Sequence, residues 1–202
     1  MSTNVTAQTF IFIGRSGAGK GTQVEWLKKK LNSHPAPAPI LHVETGQHFR
    51  SFMAQDVYSA RLTKEIQTRG DRPPSFIAAW LWADYLIKNF TGTEHVLFDG
   101  TPRSIVEAEV LDTALGFYHR QPAPVILLDV SYQCAVARLT ARARPDDLAP
   151  GGIEKRLAWY ETDVVPIIDY YRARPAAYQL HTINGEATEA EVHQAIATAL
   201  AL

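Results

Sequence analysis

The sequence predicts an α/β fold, a three-layer sandwich in which a five-stranded parallel sheet is flanked by helices. The first sign is a set of short apolar runs at 10–13, 40–43, 96–98, 125–130 and, more weakly, 178–183. None alternates strictly between apolar and polar residues, as expected of strands buried on both faces. The second sign is helical spacing between the runs. Val24, Leu27 and Leu31 make one face, and Ile105, Ala108, Leu111 and Leu115 another. Ile153, Leu157, Tyr160, Val164 and Ile168 mark a long C-terminal helix, with a bend expected at Pro166. Strands alternating with helices imply a parallel sheet, whose ligands bind beyond the carboxyl ends of the strands. The third sign is length: 202 residues suit one domain, 1–202, large enough to bury a full core.

Composition narrows the function. Apolar residues are 46% of the chain and charged residues 20%, ordinary values for a globular protein. A net charge of -1 argues against general attraction to nucleic acid or membrane surfaces. One cysteine, Cys134, allows neither an intrachain disulfide nor a multi-cysteine zinc site, so no zinc is expected. No apolar run nears the roughly 20 residues of a membrane span. Residues 1–8 lack the basic-then-apolar pattern of a signal peptide. A cytoplasmic, monomeric enzyme without nucleic-acid or membrane partners is the expectation. The segment His34-Pro35-Ala36-Pro37-Ala38-Pro39 reads as an extended connector.

Chemistry enters at Gly14-Arg15-Ser16-Gly17-Ala18-Gly19-Lys20-Gly21-Thr22, between the first apolar run and the first helical face. A glycine-rich turn from strand to helix is the context of a phosphate-binding P-loop. Glycines permit the close approach of phosphate oxygens. Backbone N–H groups and the helix N-terminus cradle the anion, and Lys20 adds a mobile positive charge. The strict pattern has Ser or Thr directly after the lysine, to reach Mg²⁺. Here Gly21 stands there and Thr22 follows.

That departure makes Gly-x-x-Gly-x-Gly-Lys-Gly-Thr-Gln resemble the loop of adenylate kinases and related nucleoside monophosphate kinases. The resemblance implies an ATP site at Gly14, Ser16, Gly17, Ala18, Gly19, Lys20, Gly21 and Thr22. Thr45-Gly46-Gln47-His48-Phe49-Arg50 is similar to the family's Thr-Gly-x-x-x-Arg segment. It implies that Thr45, Gly46 and Arg50 hold the acceptor nucleotide, with Arg50 on its phosphate. Gly70-Asp71-Arg72-Pro73-Pro74 stands at the family's acceptor-base turn, which brings in Asp71 and Pro73. The nearby Trp80 and Trp82 read as helix packing.

Phe98-Asp99-Gly100-Thr101-Pro102-Arg103 resembles the family's Asp-Gly-aromatic-Pro-Arg motif. By that match Asp99 organises Mg²⁺ through water, while Gly100 and Arg103 face the acceptor. Thr101 replaces the usual aromatic residue, so looser packing is expected beside the acceptor base. Glu107 stands where adenylate kinases usually carry Gln. It reads two ways: as one more charge on an exposed helix, or as an acceptor for the adenine amino group or the N–H pair of guanine.

Arg138, Arg142, Arg144 and Arg156 fall at the positions of the family's catalytic arginines, followed by or near Pro145-Asp146-Asp147 and Tyr160. Arg138 also joins the ATP site, as does Gly185 in the late Asn184-Gly185 turn. Only Ala143 separates Arg142 from Arg144, so the lid, 138–148, is very short. The acceptor-binding insertion spans 45–74. The implied reaction is reversible transfer of the γ-phosphate of ATP, with Mg²⁺, to a nucleoside monophosphate, first of all AMP. Other readings are a kinase for GMP, CMP or UMP, or a catalytically weak nucleotide-binding protein. The acceptor phosphate is already largely ionised at neutral pH, so no histidine base is needed. His34, His42, His48, His95, His119, His181 and His193 are scattered. The problem is repulsion between two polyanions, met by Lys20, the arginines and Mg²⁺.

Overall fold

Five strands form one all-parallel sheet in the order β2-β3-β1-β4-β5. A computed structural model describes residues 7–142 and 151–202. The elements run β1 (Thr9–Gly14), α1 (Lys20–Asn32), β2 (Ile40–Glu44), α2 (Thr45–Met53), α3 (Tyr58–Thr68), α4 (Ser75–Asn89), β3 (His95–Asp99) and α5 (Ile105–Phe117). There follow β4 (Ala123–Asp129), α6 (Tyr132–Arg142), α7 (Gly152–Trp159), a π-helical turn (Tyr160–Val164), α8 (Val165–Arg172), β5 (Tyr178–Asn184) and α9 (Glu189–Ala199).

The central strands explain the unbroken apolar runs. All six residues of β1 are buried, as are six of the seven in β4, because helices cover both faces. Alternate residues point to opposite layers. Ile11 and Ile13 meet Trp82 and Leu86 of α4, Leu111 and Leu115 of α5, and Ile167 and Tyr171 of α8. Phe10 and Phe12 meet Val24 and Leu27 of α1, Leu139 of α6, Leu157 of α7 and Ile196 of α9. β5 is an edge strand with only two of seven residues buried, which is why its signal is weak in the sequence. The long C-terminal helix holds a π-helical turn at Tyr160–Val164, just before Pro166. The turn includes Thr162, whose carbonyl would accept from position 166 if that residue were not proline.

Candidate active site

β1 ends at Gly14, where the chain passes directly over β4. A Cβ on Gly14 would lie 2.5 Å from the Leu128 carbonyl oxygen. The loop then delivers α1 with a left-handed Gly19 at its N-cap, no capping side chain and no acidic residue in the first turn. Its free N–H groups and positive dipole end therefore face the loop. Lys20 Nζ folds back, donating to the carbonyls of Gly14 (2.9 Å) and Arg15 (2.8 Å). Burial lowers its pKa to about 8; Asp99 opposes the shift, while Arg103, Arg156 and Arg142 add to it. Those five charges thus act in one electrostatic field at the carboxyl ends of β1 and β3. Gly21 has a reason as well: a Cβ there would meet Asp99 Oδ2 at 3.3 Å. A serine or threonine in the strict position would crowd that carboxylate.

On the other side of β3, Thr45 and Thr101 are fully buried and joined hydroxyl to hydroxyl. This corrects the expectation of loose packing at Thr101, since the small polar residue closes a bond that an aromatic ring would exclude. Thr101→Val strands the Thr45 hydroxyl and is expected to cost about 1–3 kcal/mol, read as a lower midpoint in urea unfolding. Gly46 lies beside Arg50, whose guanidinium pairs with Glu44 at 3.0 Å on the surface. Arg103 curls over the left-handed Gly100, its Nε donating to the Gly100 carbonyl at 2.6 Å. Pro73 is half-buried, and the Asp71 carboxylate points outward to Lys155 (3.5 Å) and Arg69 (3.7 Å).

Glu107 is not on an exposed face; it is 4% exposed. Its N–H donates to the Ser104 hydroxyl, which caps α5, and the same hydroxyl reaches Oε1. Oε2 is buried and has no hydrogen-bond partner among the described residues. Burial raises the carboxyl pKa, against the pull of Arg103 and Arg72. Trp82 packs edge-on against Phe98 in the core. Trp80 packs edge-on against Phe52 of α2, 5.3 Å between centroids, with 48% of the residue still exposed.

Arg138 of α6 ties the loop before α1 to the turn after β5. It donates to the Gly185 carbonyl (2.8 Å) and towards that of Ala18 (3.4 Å). An open cleft beside them is lined by Arg15, Asp129, Val130, Ser131, Asn184 and Glu186. Arg142 is exposed at the end of α6 and Arg156 half-buried on α7. Arg144, Asp146, Asp147 and the rest of the lid from 143 to 148 lie outside the described residues.

Two arginines that the motifs did not single out join this site to the π-helical turn. Arg15 lies 3.9 Å from the centroid of the Tyr160 ring and donates to Glu161 at 2.7 Å. Arg72 stacks on Trp159 at 4.6 Å, pairs with Asp163 and donates to the Arg103 carbonyl at 2.7 Å. The run Trp159-Tyr160-Glu161-Thr162-Asp163, two aromatics and two acids, was the available signal.

The adenylate kinase family model matches residues 12–176, most of the chain. The chain belongs to the adenylate kinase family. It is 30% identical over 186 residues to an adenylate kinase of Flavobacterium psychrophilum, covering 90% of this chain and 92% of that protein. To an adenylate kinase of Leuconostoc mesenteroides it is 32% identical, over 93% of this chain and 94% of the relative. Human adenylate kinase isoenzyme 5 is 33% identical over 93% of this chain, but the chain spans only 32% of that longer protein. The glycine loop of this chain stands at the carboxyl end of β1, in the middle of the parallel sheet. Among the described residues, no group of three or more His, Cys, Asp or Glu is placed to hold a metal, and no helix is long and apolar enough to cross a membrane.

Proposed function

We propose that the chain transfers the γ-phosphate of ATP to AMP, reversibly, giving two ADP. The observation that carries this reading is the convergence of Lys20, Asp99, Arg103, Arg142 and Arg156 beside the uncapped N-terminus of α1. Such a cluster suits two facing polyphosphates and the charge that spreads over the phosphoryl group in flight. The donor half comprises Gly14, Ser16, Gly17, Ala18, Gly19, Lys20, Gly21 and Thr22, with Arg138 and Gly185 beside the cleft that takes the ATP base. The acceptor half comprises Thr45, Gly46, Arg50, Asp71, Pro73, Gly100, Arg103 and Glu107. Arg142 and Arg156 face the phosphates, and Arg144, outside the described residues, belongs with them by the family match. The attacking phosphate oxygen is already anionic, so the residues position and neutralise rather than remove a proton.

Mg²⁺ fits this donor set. The ion commonly keeps several waters and is held by one or two carboxylates plus substrate phosphates. Asp99 supplies one carboxylate, with space before it because Gly21 has no side chain. Bound with ATP, the ion neutralises phosphate charge. A chain with one cysteine also suits the reducing cytoplasm.

Coupled assays with AMP, GMP, CMP and UMP test the proposal; turnover is expected with AMP, and turnover with none of them sinks it. A second reading, a GMP kinase, is favoured by Glu107, whose ionised form accepts two N–H groups from guanine. The two readings separate by pH. A protonated Glu107 donates to adenine N1 and accepts from the amino group, as an amide does. Its raised pKa keeps that proton above the usual carboxylate range. The KM for AMP is therefore expected to rise as pH climbs through the raised value, and Glu107→Gln to flatten the profile. An unchanged profile in the variant removes Glu107 from base recognition.

A further inference from the structure

Helices α4 and α5 lie side by side on one face of the sheet, and each leaves an apolar stripe in water. On α4 the exposed residues are Phe76, Trp80 and Ile87; on α5 they are Val106, Val110 and Phe117. Both sets follow the spacing i, i+4, i+11, which is one face of a helix. The helices are parallel and matched in height. Ser75 meets Ser104 at their N-terminal ends (3.1 Å between hydroxyl oxygens), and Phe90 meets Tyr118 edge-on at their C-terminal ends, 4.9 Å between centroids. By helical rise the stripes stand nearly level, Phe76 with Val106, Trp80 with Val110 and Ile87 with Phe117, while the Trp80 ring rests edge-on against Phe52 of α2, 5.3 Å between centroids. Between the upper pairs lie small residues, Ala83 on α4 and Thr113 with Ala114 on α5. Asp84 and Lys88, paired with each other, flank the stripe on α4, and the exposed Glu109 flanks it on α5.

We infer that this face joins a second copy of the chain in a two-fold symmetric dimer. The pattern is its own complement. A two-fold axis in the interface, perpendicular to the helices and midway along the stripes, lays α4 antiparallel on its partner copy and α5 likewise. Position 76 then meets 87, and 106 meets 117. Position 80 meets 83, so the bulky Trp80 of each copy faces the small Ala83 of the other. In the same way Val110 faces Thr113. Such an isologous contact closes on itself.

The area suffices. Phe76 is 68% exposed and Phe117 75%. At about 200 Å² for a whole aromatic side chain, these two and Trp80 leave roughly 380 Å² bare. Ile87, Val106 and Val110 bring the patch to the upper end of the roughly 300–600 Å² that is the largest on a typical monomer. With a polar rim it reaches the roughly 800 Å² per partner of a stable interface. The inference rests on neither the proposed substrate nor the site, and it departs from the monomer that the sequence suggested.

Sedimentation equilibrium on the full chain tests it. A dimer is expected in the micromolar range, and Ile87→Glu and Phe117→Glu are each expected to weaken it by about 100-fold, since each buries an unpaired charge. Both side chains are exposed, so the fold should survive, as far-ultraviolet circular dichroism will show. Register is read by oxidative crosslinking in a Cys134→Ser background. Phe76→Cys combined with Ile87→Cys should give a crosslinked dimer. Phe76→Cys alone should not, because its two copies stand about 16 Å apart along the helix axis. A chain that stays monomeric at 100 µM, a dimer indifferent to both glutamate variants, or a crosslink from Phe76→Cys alone overturns the proposal.

Discussion

Lys20→Met should lower turnover by about 10³-fold while leaving the melting temperature within a few degrees of the wild type. The loss follows from removing a positive charge at the point where two polyanions meet. The fold survives because, among the described residues, Lys20 Nζ bonds to two loop carbonyls, those of Gly14 and Arg15. Removing a buried ammonium also removes a desolvation cost. The pH dependence has a definite sign. The folded-state pKa, about 8, is below the ordinary lysine value of 10.5. The folded protein therefore binds fewer protons than the unfolded chain between those values, and stability should rise with pH across that window. ATP affinity should move the other way, falling as pH rises through about 8 and Lys20 loses its charge. Calorimetric titration at pH 7 and pH 9 reads this directly. Near-normal turnover in Lys20→Met, or ATP affinity equal at the two pH values, contradicts the assigned role.

Gly14→Ala should act on the fold itself. Its added methyl would sit 2.5 Å from the Leu128 carbonyl, at a φ of +143° that side chains rarely adopt. The obstructing atom is backbone in β4, which is paired to β1 through Gly14 and Leu128 in the middle of the sheet. Nothing flexible can move aside. A cost of about 3 kcal/mol or more is expected, and at roughly 2–4 °C per kcal/mol the melting temperature falls by roughly 6–12 °C. Gly116→Ala is the control. A Cβ at Gly116 meets nothing within 4 Å, and the residue is helical. That change should be neutral or stabilise by up to about 1 kcal/mol. Equal melting temperatures for the two variants would refute the steric account.

What the sequence reveals and what it hides follow from the range of each interaction. β1 and β4 are legible because burial on both faces leaves no polar positions in their runs. The phosphate loop and the Asp99-Gly100 turn are legible because glycine marks backbone shapes that other residues cannot take. Glu107 misleads because a carboxylate in a helix normally points to water, whereas its burial depends on Ser104, Arg72 and Arg103 around it. Thr101 misleads because its partner, Thr45, lies 56 positions away. Arg15 and Arg72 escape for the same reason: their acidic partners are far along the chain, in a turn whose π-helical winding the apolar spacing does not announce.

That turn has a thermodynamic consequence. In the proposed assignment Arg15 belongs to the loop at the donor half and Arg72 to the segment beside the acceptor half, yet both are held by residues of one stretch, 159–163: Tyr160 and Glu161 on Arg15, Trp159 and Asp163 on Arg72. The two halves therefore share one mechanical reference. A shift of the turn that one nucleotide favoured would move both contacts. By linkage, the factor by which ATP changes the affinity for the acceptor equals the factor by which the acceptor changes the affinity for ATP.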